Sequence, residues 1–264
     1  MSRVIPGILM AGGWFLLLFG GSAELFWAVV VCGAVIALYE YFRMTSVSLT
    51  GMPLFVTIFL CLFPVLAAFS GRSDIVLAGI IGSLLAAVAV ALYRFTVIDD
   101  VFKYMSCSGF GCVYISLCLA HVILLRFLPQ GPFWLTMLIA VVAGSDTGAY
   151  YAGRAFGGPK LFPQISPKKT VAGGIGGLVA GIAFAEGINL LFPGNTNFFF
   201  LFIAAALLIV VGIAGDLTES MIKRSMGVKD SGTILFGHGG LLDRIDSLLL
   251  TAPVLFYLLY FRIL

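Results

Sequence analysis

The stretch FFFLFIAAALLIVVGIAGDLTESMIKR, residues 198–224, decides the fold class. Its uncharged part, 198–215, forms as a helix a rod long enough to cross most of the ~30 Å hydrocarbon layer of a bilayer. The chain then turns abruptly charged at Asp216, Glu219, Lys223 and Arg224. In lipid every backbone polar group must be satisfied within the segment, so a helix is the conformation that fits. Charges entering such a segment are costly, and they mark places where water, a partner or chemistry compensates them.

Apolar runs of this kind recur along the chain, at 5–19, 23–42, 52–69, 75–93, 109–128, 133–156, 171–192, 198–226 and 241–264. They predict an all-α polytopic integral membrane protein with about nine transmembrane helices. Composition agrees: 61% hydrophobic and 10% charged residues over 264 positions give more apolar surface than a soluble core of that size encloses. The first run is short and is separated from the second by Gly20, Gly21 and Ser22, so a re-entrant segment is an alternative there. A leader peptide is another, since Arg3, an apolar stretch and Gly21-Ser22-Ala23 follow that pattern loosely.

No repeat, low-complexity tract or polar linker separates a soluble domain. The division is chemical, into N-terminal transmembrane helices over 1–128 and a catalytic transmembrane region over 129–264. In the first part the ionisable residues sit mostly at span ends. Glu24 and Glu40 read as carboxylates reaching water or headgroups, Asp99, Asp100 and Lys103 as an interfacial segment, and His121 as a hydrogen-bonded packing residue. The five cysteines lie in or beside apolar segments without paired ligand spacing, which predicts reduced, buried thiols.

Basic residues set the orientation. Arg3, Arg43, Arg94, Lys103, Arg154, Lys160, Lys168, Lys169, Lys223, Arg224, Lys229 and Arg244 fall on one side, and Arg72, Arg126 and Arg262 on the other. The first side is expected to be cytoplasmic. The net charge of +3 is modest and clusters by loop, which favours anionic phosphate at the membrane surface over nucleic acid as partner.

Two clusters carry candidate chemistry. On a helix Asp216, Ser220 and Lys223 share one face, and after the glycine-rich segment ending at Gly240 the residues Asp243 and Asp246 share a face of the next helix. Magnesium takes oxygen ligands, often one or two carboxylates completed by water and substrate phosphates, so Asp216 and Asp243 are the leading metal ligands. Lys223, Arg224 and Lys229 suit neutralisation of phosphate charge, and the glycines allow backbone amides to approach it. A second cluster runs from Ser145 and Asp146 through Tyr150, Gly153 and Arg154 to Lys168 and Lys169, just before the positive end of the next helix. Gly173, Gly174, Gly176, Gly177 and Gly181 of that helix read as a close-packing face. The competing reading makes the lysines and arginines anchors to anionic lipid headgroups.

These motifs resemble the phosphatidate cytidylyltransferase, or CDP-diglyceride synthetase, family. Ser220-Met-Ile-Lys-Arg, Lys229-Asp-Ser-Gly and His238-Gly-Gly-Leu-Leu-Asp-Arg-Ile-Asp246 are similar to its signature, and the match extends back through 145–150 and 166–170. Val171-Ala172-Gly173 departs from it where many relatives have Trp-Glu-Gly or Trp-Gln-Gly. The resemblance implies transfer of the cytidylyl group of CTP to phosphatidate, giving CDP-diacylglycerol and pyrophosphate, with Mg2+. It implies metal ligation by Asp216 and Asp243, and catalytic roles for Asp243, Lys223, Arg224 and Asp246, the last as a nearby or second-site carboxylate. Substrate contacts are implied for Ser220, Lys229, Asp230, His238, Asp146, Lys168 and Lys169. It further implies a bacterial inner-membrane location with a cytoplasmic site, and leaves a homodimer open. Two other readings stand beside it: another CTP-using lipid enzyme, and a transporter for an anionic solute whose path the charged residues would line.

Overall fold

A computed structural model describes residues 4–45, 51–191, 196–232 and 239–264, with side chains from residue 12 onward. α1 (Val4–Gly20) gives way at Gly21, where a Cβ would lie 2.5 Å from the Leu17 carbonyl oxygen. Ser22 then starts α2 (Ala23–Met44) by accepting a hydrogen bond from Leu25 N at 3.2 Å. The third apolar run divides into α3 (Met52–Cys61) and α4 (Phe63–Ala67), bent by 41° where Pro64 follows the break. α5 (Ser73–Tyr93) comes next.

The fifth run begins earlier than its apolar pattern predicts. Asp100 accepts from Lys103 N at 2.8 Å, so the charged segment expected to be interfacial supplies the cap and first turn of α6 (Val101–Gly111). A π-helical turn over Cys112–Leu117 joins α6 to α7 (Cys118–Phe127). α8 (Gly131–Phe156) follows, then an antiparallel hairpin of β1 (Lys160–Phe162) and β2 (Ser166–Thr170). The hairpin adds a small element to an otherwise helical architecture, and β2 leads directly into α9 (Val171–Leu191). α10 (Phe198–Ser225) and α11 (Leu242–Tyr260) complete the chain.

Among the described residues each of the nine apolar runs contributes helix, and the protein is an all-α polytopic membrane protein. Among the described residues six helices, α2, α5, the joined α6–α7, α8, α9 and α10, are long and apolar enough to cross a bilayer, and the bent α3–α4 pair makes seven if it counts as one span. α1 has 17 residues, and α11 carries Asp243, Arg244 and Asp246 near its start. Their crossing therefore does not follow from length and apolarity.

The loop ends gather at two poles. At one, Arg126 donates to the Gly21 carbonyl at 3.4 Å, and Gly71 packs against the Phe127 ring. At the other, α2, α10 and the start of α11 meet through Glu40 and Lys223. The second pole carries the candidate site.

Small residues set the closest helix contacts. A Cβ on Gly176 would lie 3.0 Å from the Gly148 carbonyl oxygen, one on Gly177 2.9 Å from that of Ser145, and one on Gly173 3.0 Å from that of Ala149. The glycines of α9 thus let α8 approach backbone to backbone, as their spacing predicts. Gly174 is the exception, with nothing near its Cβ position, because it faces a cavity.

Candidate active site

α10 carries Asp216, Ser220 and Lys223 along one face, and Ser220 Oγ donates to Asp216 Oδ1 at 3.3 Å. Lys223, at 9% exposure, sits between two carboxylates: it contacts Glu219, which is fully buried, and donates to Asp243 Oδ1 at 2.6 Å. Asp243 lies in the first turn of α11 and also accepts from Gly240 N at 2.9 Å and Ser231 N at 3.1 Å. It therefore ties the residue before the α11 cap to the segment after α10 while holding the lysine.

α10 and α11 touch where Gly215 faces Asp246, with only 2.6 Å between a Cβ built on Gly215 and the Asp246 carbonyl oxygen. The missing side chain of Gly215 lets the two helices approach there, which puts Asp216 and Asp246 at the same contact. Asp246 Oδ1 also accepts from Ser247 N at 2.6 Å.

The second cluster meets the first through one ion pair. Lys169, in β2, reaches Asp216 Oδ2 at 2.5 Å. Thr170, buried at 6% exposure, ties β2 to α9 by accepting from Gly173 N at 3.1 Å, which fixes where Lys169 points from. Beside this pair a cavity of about 410 Å³ opens between α8, α9 and the hairpin, lined by Asp146, Tyr150, Arg154, Lys168 and Lys169 together with the apolar Leu161 and Ile213. Asp146 lies within electrostatic range of Asp216 and Lys169. Arg154, which the second cluster also contains, lines the same cavity and donates to the Tyr150 hydroxyl at 3.1 Å.

Other expected site residues stand apart from this core. Arg224 is exposed and donates to the Val228 carbonyl at 3.2 Å, and Lys229 and Asp230 are exposed beyond it. His238 lies outside the described residues.

Two residues of the N-terminal part belong to the site's framework. Glu40, expected to reach water or headgroups, is instead 2% exposed and accepts hydrogen bonds from the start of α11. Tyr114, in the π-helical turn, donates from its hydroxyl to the Gly215 carbonyl at 3.2 Å, next to Asp216. A π turn shifts the side-chain register of a helix and often serves a functional site. For Glu40 the sequence held a signal, a carboxylate inside an apolar run, but its position near the run's end concealed it.

Among the described residues no three His, Cys, Asp or Glu side chains are gathered to hold a metal ion by themselves. Asp216 and Asp246 lie on facing helices at the Gly215 contact, and carboxylates so placed are the oxygen donors that magnesium takes when water and substrate phosphates complete its shell. Asp243, the other ligand expected from the sequence, has its carboxylate engaged by Lys223 and two backbone amides.

Asp146 and two lysines on a cavity wall, with the Lys169–Asp216 pair beside them, give this polytopic membrane protein one concentrated charged site. The chain belongs to the Cytidylyltransferase family, whose pattern matches residues 1–262. Similar proteins include the phosphatidate cytidylyltransferase of Bacillus subtilis, 34% identical over 265 residues that cover 98% of this chain and 97% of that protein. The phosphatidate cytidylyltransferase of Staphylococcus haemolyticus is 36% identical over 254 residues, 92% of each chain. That of Haemophilus influenzae is 42% identical over 136 residues, 50% of this chain. Family membership favours the nucleotidyl-transfer reading over the transporter.

Proposed function

We propose that this chain transfers the cytidylyl group of CTP to phosphatidate, giving CDP-diacylglycerol and pyrophosphate at the cytoplasmic face of a bacterial inner membrane. The observation that carries the reading is the Lys169–Asp216 ion pair, which joins two phosphate-handling motifs at one cavity. The full-length similarity to phosphatidate cytidylyltransferases supports it.

An oxygen of the phosphatidate phosphate attacks the α-phosphorus of CTP, a new P–O bond forms, and the bond to the β-phosphate breaks with its electron pair leaving on pyrophosphate. Phosphatidate is ionised at neutral pH, so no side chain has to remove a proton. The chain's task is to place two polyanions against each other and offset their repulsion. The cavity pairs Lys168 and Lys169 with apolar Leu161 and Ile213, which suits a phosphate carried on a diacylglycerol. Lys223, Arg224 and Lys229, at the end of α10 and in the loop after it, suit the nucleotide phosphates, with His238 in the same loop. Mg2+ held by Asp216 with Asp246, or with Asp243, would offset charge on the phosphates during transfer.

Purified protein in mixed micelles with Mg2+, labelled CTP and phosphatidate is expected to release pyrophosphate and form labelled CDP-diacylglycerol, and Asp243→Asn is expected to abolish this. Formation of CDP with a newly phosphorylated lipid would establish a kinase instead. Absence of any CDP-lipid would refute the proposal.

A further inference from the structure

Glu40 belongs to α2, in the part of the chain that the proposed chemistry does not use, and is 2% exposed. A buried carboxylate persists only where donors compensate its lost hydration. Here Oε1 accepts from Leu241 N at 3.1 Å, and Oε2 accepts from Leu242 N at 2.9 Å and from Ser231 Oγ at 3.4 Å. Glu40 and Leu241 are 201 positions apart in the sequence. A Cβ on Gly232 would lie 2.6 Å from Oε1, and one on Gly240 2.6 Å from Oε2. A side chain at either position would displace the Glu40 carboxylate, and at Gly240 also the Ser231 hydroxyl, from this arrangement.

The same short segments are held from their other side by Asp243, which accepts from Ser231 N and Gly240 N and, in turn, from Lys223 Nζ. Ser231 shows the arrangement most directly, giving its amide to Asp243 and its hydroxyl to Glu40. Both limbs of the loop between α10 and α11 are therefore gripped between a buried carboxylate of α2 and a site carboxylate of α11.

We propose that Glu40 is a positioning residue for the transfer reaction: it fixes the start of α11 and the loop limbs so that Asp243 and Lys223 stay registered against the nucleotide phosphates. It touches no substrate and acts through the amides of Leu241 and Leu242 and the Ser231 hydroxyl. The inference rests on the proposed function in assigning that loop to the nucleotide.

The test uses the full chain in detergent or nanodiscs, as parent, Glu40→Ala and Glu40→Gln. Two readouts are taken: steady-state kinetics with each substrate varied in turn, and amide hydrogen exchange over 229–246. For Glu40→Ala, kcat/KM for CTP is expected to fall about tenfold or more while the KM for phosphatidate changes less than about twofold, with faster exchange at 239–242 and none at α9. Glu40→Gln keeps the size and one acceptor oxygen, and is expected to fall between parent and alanine variant. Unaltered exchange at 239–242 in the alanine variant, or an equal fall for both substrates, overturns the proposal. Where the alanine variant does not fold, parent-like exchange and CTP kinetics in Glu40→Gln overturn it instead. A parent inactive on CTP and phosphatidate would count against the proposed function, and the exchange data would still decide whether Glu40 holds the loop.

Discussion

Replacing Lys223 by methionine removes the cation that both Glu219 and Asp243 contact. The side chains of Lys223 and Asp243 are 11% and 13% exposed, and that of Glu219 is fully buried. The two carboxylates would not lose equally. Asp243 keeps the amides of Ser231 and Gly240, whereas Glu219 already has Oε1 without a hydrogen-bond partner and meets Lys223 through Oε2. The variant therefore strips a fully buried carboxyl group of its cation, and whether the group stays charged or takes up a proton, the change costs about 1–5 kcal/mol. Adding Glu219→Gln removes the stranded charge, and the double variant is expected to lie within about 1–2 kcal/mol of the parent. Unfolding of parent, both single variants and the double variant in detergent, titrated with SDS, closes the cycle. CDP-lipid formation should be lost in both Lys223 variants, which separates the repair of stability from the repair of function. A loss below about 1 kcal/mol in Lys223→Met, the range of an exposed pair, would refute the reasoning.

Gly148→Leu should force α8 and α9 apart, since its Cβ alone would overlap Ala180 Cβ and lie 2.5 Å from the Gly176 carbonyl oxygen. Destabilisation of about 1–3 kcal/mol in the same unfolding assay, with loss of product formation, is expected, and parent-like stability would show that the helices are not so close. Tyr114→Phe removes the hydroxyl that donates to the Gly215 carbonyl and is expected to cost about 1 kcal/mol, checked by the same titration. No change there would mean that the π-helical turn does not hold α10.

The helical segments were legible because each signal is local. A bilayer demands a continuous apolar run, and such runs stand out between 198 and 215 or 75 and 93 without knowledge of any neighbour. The close approach of α8 and α9 was legible for the same reason, since small residues repeated along one helix announce it. The start of α6 was not, because Asp100 and Lys103 look interfacial by composition while acting as a helix cap. The hairpin at 160–170 was hidden by its shortness: Lys160–Phe162 and Ser166–Thr170 carry too few residues for an alternating pattern to show.

The site divides along the same line. Helical spacing alone places Asp216, Ser220 and Lys223 on one face of α10, and it does the same for Asp243 and Asp246 on α11. Pairing between elements is beyond its reach. Lys169 with Asp216, Lys223 with Asp243, and Glu40 against the start of α11 each depend on how helices pack. By itself the sequence determined that this chain is a helical membrane protein with acidic and basic groups suited to phosphate, because apolar length and helical periodicity are properties of neighbouring residues. Tertiary structure alone decided which charges meet, because a contact such as that of Glu40 with Leu241 spans 201 positions and is set by the packing of α2 against the start of α11.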